Sequence, residues 1–121
     1  MRYTLKDYQV DAVGGVLRNL DQARDMYHRY GSRSQFSLSA VTGAGKTVMA
    51  AAVIEALIFG SDEFDFSADP GAVVLWFSDD PALNEQSRDR IRAAASELDW
   101  RLKLITNDFR ETSFQPGNVY F

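Results

Sequence analysis

The segment Ala40-Val41-Thr42-Gly43-Ala44-Gly45-Lys46-Thr47 constrains this chain more than any other. Before it, Phe36, Leu38 and Ala40 alternate with Ser37 and Ser39, and that period of two predicts a strand over Phe36 to Val41. After it, an apolar stretch through Phe59 predicts a helix, with Gly60 placed to stop it. Strand, glycine-rich turn and helix opening on Lys-Thr together form a socket for a polyphosphate. Glycines at 43 and 45 remove side chains that would crowd the approach, so that backbone N–H groups can curve around phosphate oxygens. The new helix contributes its unpaired N–H groups and its positive end. Lys46 can place an ammonium between β- and γ-phosphates, and Thr47 can offer its hydroxyl to Mg²⁺. One position departs from the strict pattern, which has glycine where Ala40 stands. Nucleotide binding by Thr42, Gly43, Ala44, Gly45, Lys46 and Thr47 is the expectation, with Thr47 at the metal.

The rest of the chain fits an α/β arrangement around that turn. Lys6 to Tyr30 reads as a helix, with Leu5, Val13, Val16, Leu17, Leu20, Ala23 and Tyr27 on one stripe. Thr4 and Asp7 have capping-box spacing at its start. Gly14-Gly15 predicts a kink or short break, since each glycine costs about 1 kcal/mol against alanine inside a helix. Ser61 to Gly71 is acidic and turn-rich, and reads as a solvated surface loop, in which Phe64 and Phe66 are out of place. Ala72 to Ser78 is nearly continuously apolar, as for a strand covered on both faces. Asp80 followed by Pro81 is a cap-then-first-turn signal for a helix running to about Leu98. Leu102 to Thr106 and Asn118 to Phe121 are further strand candidates. Strands alternating with helices predict a parallel sheet with right-handed crossovers. The division expected is a helical lead-in over 1–34 and a βαβαβ phosphate-binding core over 35–121. With three or four strands only, the sheet is expected to be part of a larger doubly wound domain.

Composition narrows the partners. The chain has 121 residues, 45% of them hydrophobic and 25% charged, which is the balance of one soluble globular domain rather than a disordered chain. Having no cysteine, it has no disulfide, thiolate metal site or catalytic thiol. The longest apolar run, Val48 to Phe59, is broken by Glu55 and is too short to span a bilayer. A cytoplasmic location without membrane contact is the default. Residues 1–60 carry seven Lys/Arg against five Asp/Glu, whereas residues 61–121 carry six against twelve. That balance is unlike a small self-sufficient nucleic-acid binder, so any such contact must come from a local patch or from further chain.

AxTGxGKT resembles motif I of superfamily 2 helicases and translocases more than the kinase or GTPase versions of the phosphate loop. Leu5-Lys6-Asp7-Tyr8-Gln9 resembles the LRxYQ segment that opens many of these motors. Val74 to Gln86 (VLWFSDDPALNEQ) is similar to motif Ia, particularly in the subunits of type III restriction enzymes and their DEAD/DEAH-like relatives. The resemblance spans nearly the whole chain. It implies a RecA-like fold and the N-terminal portion of an ATP-binding motor domain. It also implies ATP and Mg²⁺ as ligands, and DNA as partner with RNA left open. Hydrolysis is then coupled to movement on DNA in a complete protein with a second motor domain, in the setting of restriction-modification. Lys46 would stabilise charge developing at the β/γ-phosphates. Gln9 would recognise adenine, because a carboxamide matches N7 and N6–H₂ with one donor and one acceptor; Tyr8 or Tyr3 would stack on the ring. Ser78, Asp79 and the next helix would lie along the nucleic-acid backbone, although adjacent carboxylates at 79 and 80 repel phosphate and leave Arg88, Arg90 and Arg92 as the cations nearby. The DExH-type acid and the arginine fingers of such motors have no match here, so this stretch alone is expected to hydrolyse little or no ATP.

Two other readings compete. VVLWFSDD also resembles an apolar strand ending in a magnesium-binding acid, which would make the chain a small phosphotransferase with Asp79 or Asp80 at the metal. Alternatively, the chain is a nucleotide-binding module without catalysis.

Overall fold

The computed structural model describes residues 1–121. It contains a long helix α1 (Asp7–Tyr30), the helix α2 (Lys46–Phe59) that leaves the glycine-rich turn, strand β1 (Val74–Leu75) and helix α3 (Pro81–Ala94). A 3₁₀ turn (Ser96–Arg101) then leads to β2 (Leu102–Lys103), and β3 (Val119–Tyr120) closes the chain. The three strands are parallel, in the order β1-β3-β2, with Val74, Val119 and Leu102 in register. Backbone bonds carry the ladder past these short cores. Trp76 N–H donates to the Tyr120 carbonyl at 2.8 Å and Ile105 N–H to the Phe121 carbonyl at 2.8 Å.

Helix α2 explains the architecture. Its sequence KTVMAAAVIEALIF has no polar face, which is the composition of a helix enclosed by protein rather than lying on a surface. On one flank Ala51, Ile54 and Ile58 meet Ile91, Ala94, Ala95 and Leu98 beyond α3's face, together with Leu102, Val119 and Phe121 from the sheet. On the other flank Met49, Ala52 and Ala56 meet Val13 and Leu17 of α1 and Phe66 of the following loop. Alanines at 51, 52 and 56 let two neighbours approach the same helix closely.

Parallel strands need long crossovers. The connection from β1 to β2 carries α3 on the helical face. Returning from β2 to the central strand β3 reverses the direction across the sheet, so a right-handed crossover must use the opposite face. That second connection has no helix. It is coil, and Phe109 and Phe114 lie on the Tyr120 ring at 6.0 and 4.6 Å between centroids. The Tyr120 hydroxyl donates to Glu111 at 2.9 Å and accepts from the Gln115 N–H at 2.8 Å.

Several expectations need correction. Phe36 to Val41 is not a strand: it is coil and mostly exposed, and no strand pairs with it. Ala72 to Ser78 is covered on one face only. Val74 and Trp76 pack on the core, while Leu75 is exposed and Phe77 is 85% exposed. Gly14-Gly15 does not interrupt α1. Gly14 is buried, and a β-carbon there would stand 3.3 Å from Arg18 Nη1 and 3.6 Å from the Phe64 ring, so the helix runs on through packed surroundings. The helix starts at Asp7 with Lys6 as its cap, within the expected bounds, but its box is not Thr4 with Asp7: Gln9 Oε1 accepts the Lys6 N–H at 2.9 Å. α3 ends at Ala94, because Ala95 leaves helical geometry (φ −137, ψ 83) to place Leu98 in the core through the 3₁₀ turn. Tyr27, at the far end of the α1 stripe, is exposed. Phe64 and Phe66, out of place in their acidic loop, pack within this chain: Phe66 is 5% exposed, and Phe64 lies against the same cluster.

Candidate functional site: the loop before helix α2

The turn adopts the geometry its glycines permit. Gly43 (φ 84) and Gly45 (φ 83) are both left-handed, a region that costs other residues roughly 1–2 kcal/mol. Gly45 is the N-cap of α2, and no side chain caps that helix. Ala44 N–H donates to the Val41 carbonyl at 3.1 Å and Met49 N–H to the Gly45 carbonyl at 2.9 Å. The N–H groups of Gly43, Gly45, Lys46, Thr47 and Val48 have no acceptor within the chain. Five free donors around one turn, at the positive end of a fourteen-residue helix, suit an anion of several oxygens. The Lys46 side chain is exposed and takes part in no ion pair or hydrogen bond. Glu55, the one carboxylate on α2, is instead held by the N-terminal ammonium at 2.9 Å. The cationic head is therefore free. Thr47 lies at the second position of the helix and its hydroxyl makes no hydrogen bond within the chain, so it is free to serve a cation.

The start of α1 braces this turn. Gln9 is 8% exposed, and its Nε2 donates to the Ala44 carbonyl at 3.0 Å while its Oε1 is taken by Lys6. Tyr8 Oη donates to the same carbonyl at 2.9 Å. A β-carbon on Gly45 would stand 2.5 Å from Gln9 Nε2, so only glycine allows this approach. Beside the turn, Tyr8, Ala12, Leu38 to Ala44 and Met49 line a largely apolar cleft of about 560 Å³. Tyr8 thus stands at the wall of a cleft that adjoins the glycine-rich turn, whereas Tyr3 lies apart, in a separate hollow with Met1 and Glu55. The bracing by Tyr8 was not foreseeable: it pairs residues 36 apart and leaves no local pattern. That of Gln9 had one local signal, its place three residues beyond the helix cap.

At the end of β1 the two acids divide. Asp80 Oδ1 accepts the Ala82 N–H at 2.9 Å, the capping role its Asp-Pro sequence suggests. Asp79 is exposed. Of the nearby arginines, Arg88 is drawn to Asp89 at 3.0 Å and Arg92 is paired with Asp99, leaving Arg90 exposed and unpaired. Nor do the carboxylates of the 61–71 loop gather: Asp69 pairs with Arg24 at 3.5 Å.

A parallel sheet flanked by helices, with a phosphate loop leading into an enclosed helix, defines a RecA-like P-loop domain. The family model for the type III restriction enzyme res subunit matches residues 2–121, and the chain belongs to that family. The family is one of helicase-like, ATP-dependent proteins of restriction systems, and its ligands are in general ATP and Mg²⁺. Searches of curated proteins and of solved structures found no match. No helix is long and apolar enough to cross a membrane.

Proposed function

We propose that the chain binds ATP·Mg²⁺ at Thr42 to Thr47 and forms the nucleotide-holding part of a motor that couples hydrolysis to movement along DNA. The observation that carries the reading is the cluster of five unpaired N–H groups beside an unpaired Lys46. Backbone amides cradle the phosphates, and their fixed orientation means that they need not reorganise as charge develops. Lys46 adds its charge at the β/γ-phosphates, and Thr47 Oγ1 holds the metal, which neutralises phosphate charge when bound. Gln9 retains one carboxamide N–H and one lone pair for an adenine edge, since each end of the group has two hydrogen-bonding positions and one is used. Nucleic acid passes the carboxyl ends of the strands, along Ser78 and the start of α3, with backbone N–H groups and Arg90 as the available donors.

An attacking water needs an acid to orient it, and charge at the leaving group needs an arginine from a second motor domain. Neither has a match in these residues, so turnover by this stretch alone is negligible. The test is titration with a fluorescent ATP analogue and Mg²⁺. Saturable binding is expected in the unmodified chain, with at least a tenfold loss in Lys46→Ala and no change in melting temperature beyond the scatter of surface substitutions. Equal affinity in the two proteins would refute the site. ATP turnover at motor rates by the 121 residues alone, dependent on Lys46, would refute the division of labour.

A further inference from the structure

The loop's amides are useful only if they point at the ligand, and one of its peptide planes is held from outside the loop. The Ala44 carbonyl accepts from both Tyr8 Oη (2.9 Å) and Gln9 Nε2 (3.0 Å). Two donors occupy both lone pairs of a carbonyl oxygen. The chain has no cis peptide bond, so the Ala44–Gly45 unit is trans and planar, and its C=O and N–H point in opposite directions. Fixing the carbonyl toward α1 therefore fixes the Gly45 N–H away from α1. That N–H is one of the five with no acceptor in the chain. The plane pivots on Ala44 and Gly45, and left-handed Gly45 can rotate at little steric cost. Without the two external donors the plane is free to turn its carbonyl, a negative dipole end, toward the place where phosphate must sit.

We propose that Tyr8 is a positioning residue for the polyphosphate, acting through its hydroxyl on the Ala44 carbonyl and so on the aim of the Gly45 amide. The inference rests on the nucleotide-binding reading above. It assigns Tyr8 to the phosphates, not to the base. Its ring faces the apolar cleft and its hydroxyl serves the loop, so the two roles are separable by substitution. Tyr8→Phe keeps the ring and removes only the oxygen. Tyr8→Ala removes both.

The experiment measures Mg²⁺-dependent binding of ATP, and binding of adenosine, to the unmodified chain, Y8F and Y8A, with the melting temperature of each without ligand. Loss of one neutral hydrogen bond that orders a ligand-binding amide weakens ATP about fivefold in Y8F. Adenosine affinity stays the same in Y8F, because no phosphate is present to read the change. A stacking role alone gives the opposite pattern: Y8F binds ATP like the unmodified chain, while Y8A weakens ATP and adenosine alike, and this overturns the proposal. A purely structural hydroxyl lowers the melting temperature of Y8F and leaves the ratio of ATP to adenosine affinity untouched, which also overturns it. If the unmodified chain binds no ATP at all, the nucleotide reading itself fails, an outcome distinct from the others. A second measurement needs no variant: the Gly45 amide proton gains protection from hydrogen exchange when the unmodified chain is saturated with ATP·Mg²⁺. An unchanged exchange rate at saturation overturns the proposal even if Y8F cannot be folded.

Discussion

Replacing Gly45 by alanine tests the packing of α1 on the phosphate loop without any ligand. The methyl group meets two penalties of different origin. The first is conformational: at φ 83 the residue is left-handed, which costs a non-glycine residue roughly 1–2 kcal/mol. The second is steric. The new carbon would lie 2.5 Å from Gln9 Nε2, so the carboxamide must withdraw and its bond to the Ala44 carbonyl is lost. A buried neutral hydrogen bond contributes about 1 kcal/mol, and an orphaned donor raises the cost. Gly45→Ala is therefore expected to lose about 2–3 kcal/mol in urea unfolding, read as a lower midpoint at constant slope. In a Gln9→Ala background the obstacle is gone, and only the conformational part of about 1–2 kcal/mol remains. The two substitutions are thus non-additive, with a coupling of about 1 kcal/mol. If Gly45→Ala costs the same with and without Gln9, the carboxamide does not lie over the glycine and the brace described above is wrong.

Three further outcomes follow from the packing. Asp80→Ala loses a helix cap and about 1 kcal/mol in denaturant unfolding, whereas Asp80→Asn is nearly neutral because asparagine caps as well; an acid serving a metal would instead lose Mg²⁺-dependent nucleotide binding in the asparagine variant. Phe66→Ala empties a buried position shared by α1, α2 and the following loop and removes the ring under the Arg24 guanidinium 4.5 Å away, so a loss of about 3–5 kcal/mol is expected by urea titration; a loss under about 1 kcal/mol would mean that α1 is not docked through this ring. Gly14→Leu forces a side chain toward the Phe64 ring and is expected to cost about 1–3 kcal/mol despite leucine's better helix propensity, where a surface glycine would gain stability.

What was legible in the sequence was what is decided locally. The glycine-rich turn, the enclosed helix after it and the Asp-Pro start of α3 each depend on residues within a few positions of one another. Phe36 to Val41 has the alternation of a strand, but a strand exists only with a neighbour, and none is paired to it. The alternation is real and its partner is not written in it. Phe64 and Phe66 are out of place in their acidic, turn-rich stretch, but where they go is not written there, because the cavity that receives Phe66 is made by Val13 and Leu17 some fifty positions earlier. α3 stops at Ala94 with no glycine or proline to announce it; the stop is set by Leu98 reaching the core. At the site, the resemblance named Gln9 for a base, while the fold gives its two carboxamide ends work inside the chain that only the positions of Lys6 and Ala44 reveal.

The enclosure of α2 bears on how stiffly its first turn is held. A helix lying on a surface can roll or bend when its first turn is tugged. This one is gripped along both flanks by close-packed alanines and branched side chains, and such interiors yield little to strain. A pull at Lys46 or Thr47 is thus passed down a stiff strut, on one side to the strands and on the other to α1. The glycine-rich turn and α1, whose first residues brace it, are thus joined a second time through α2.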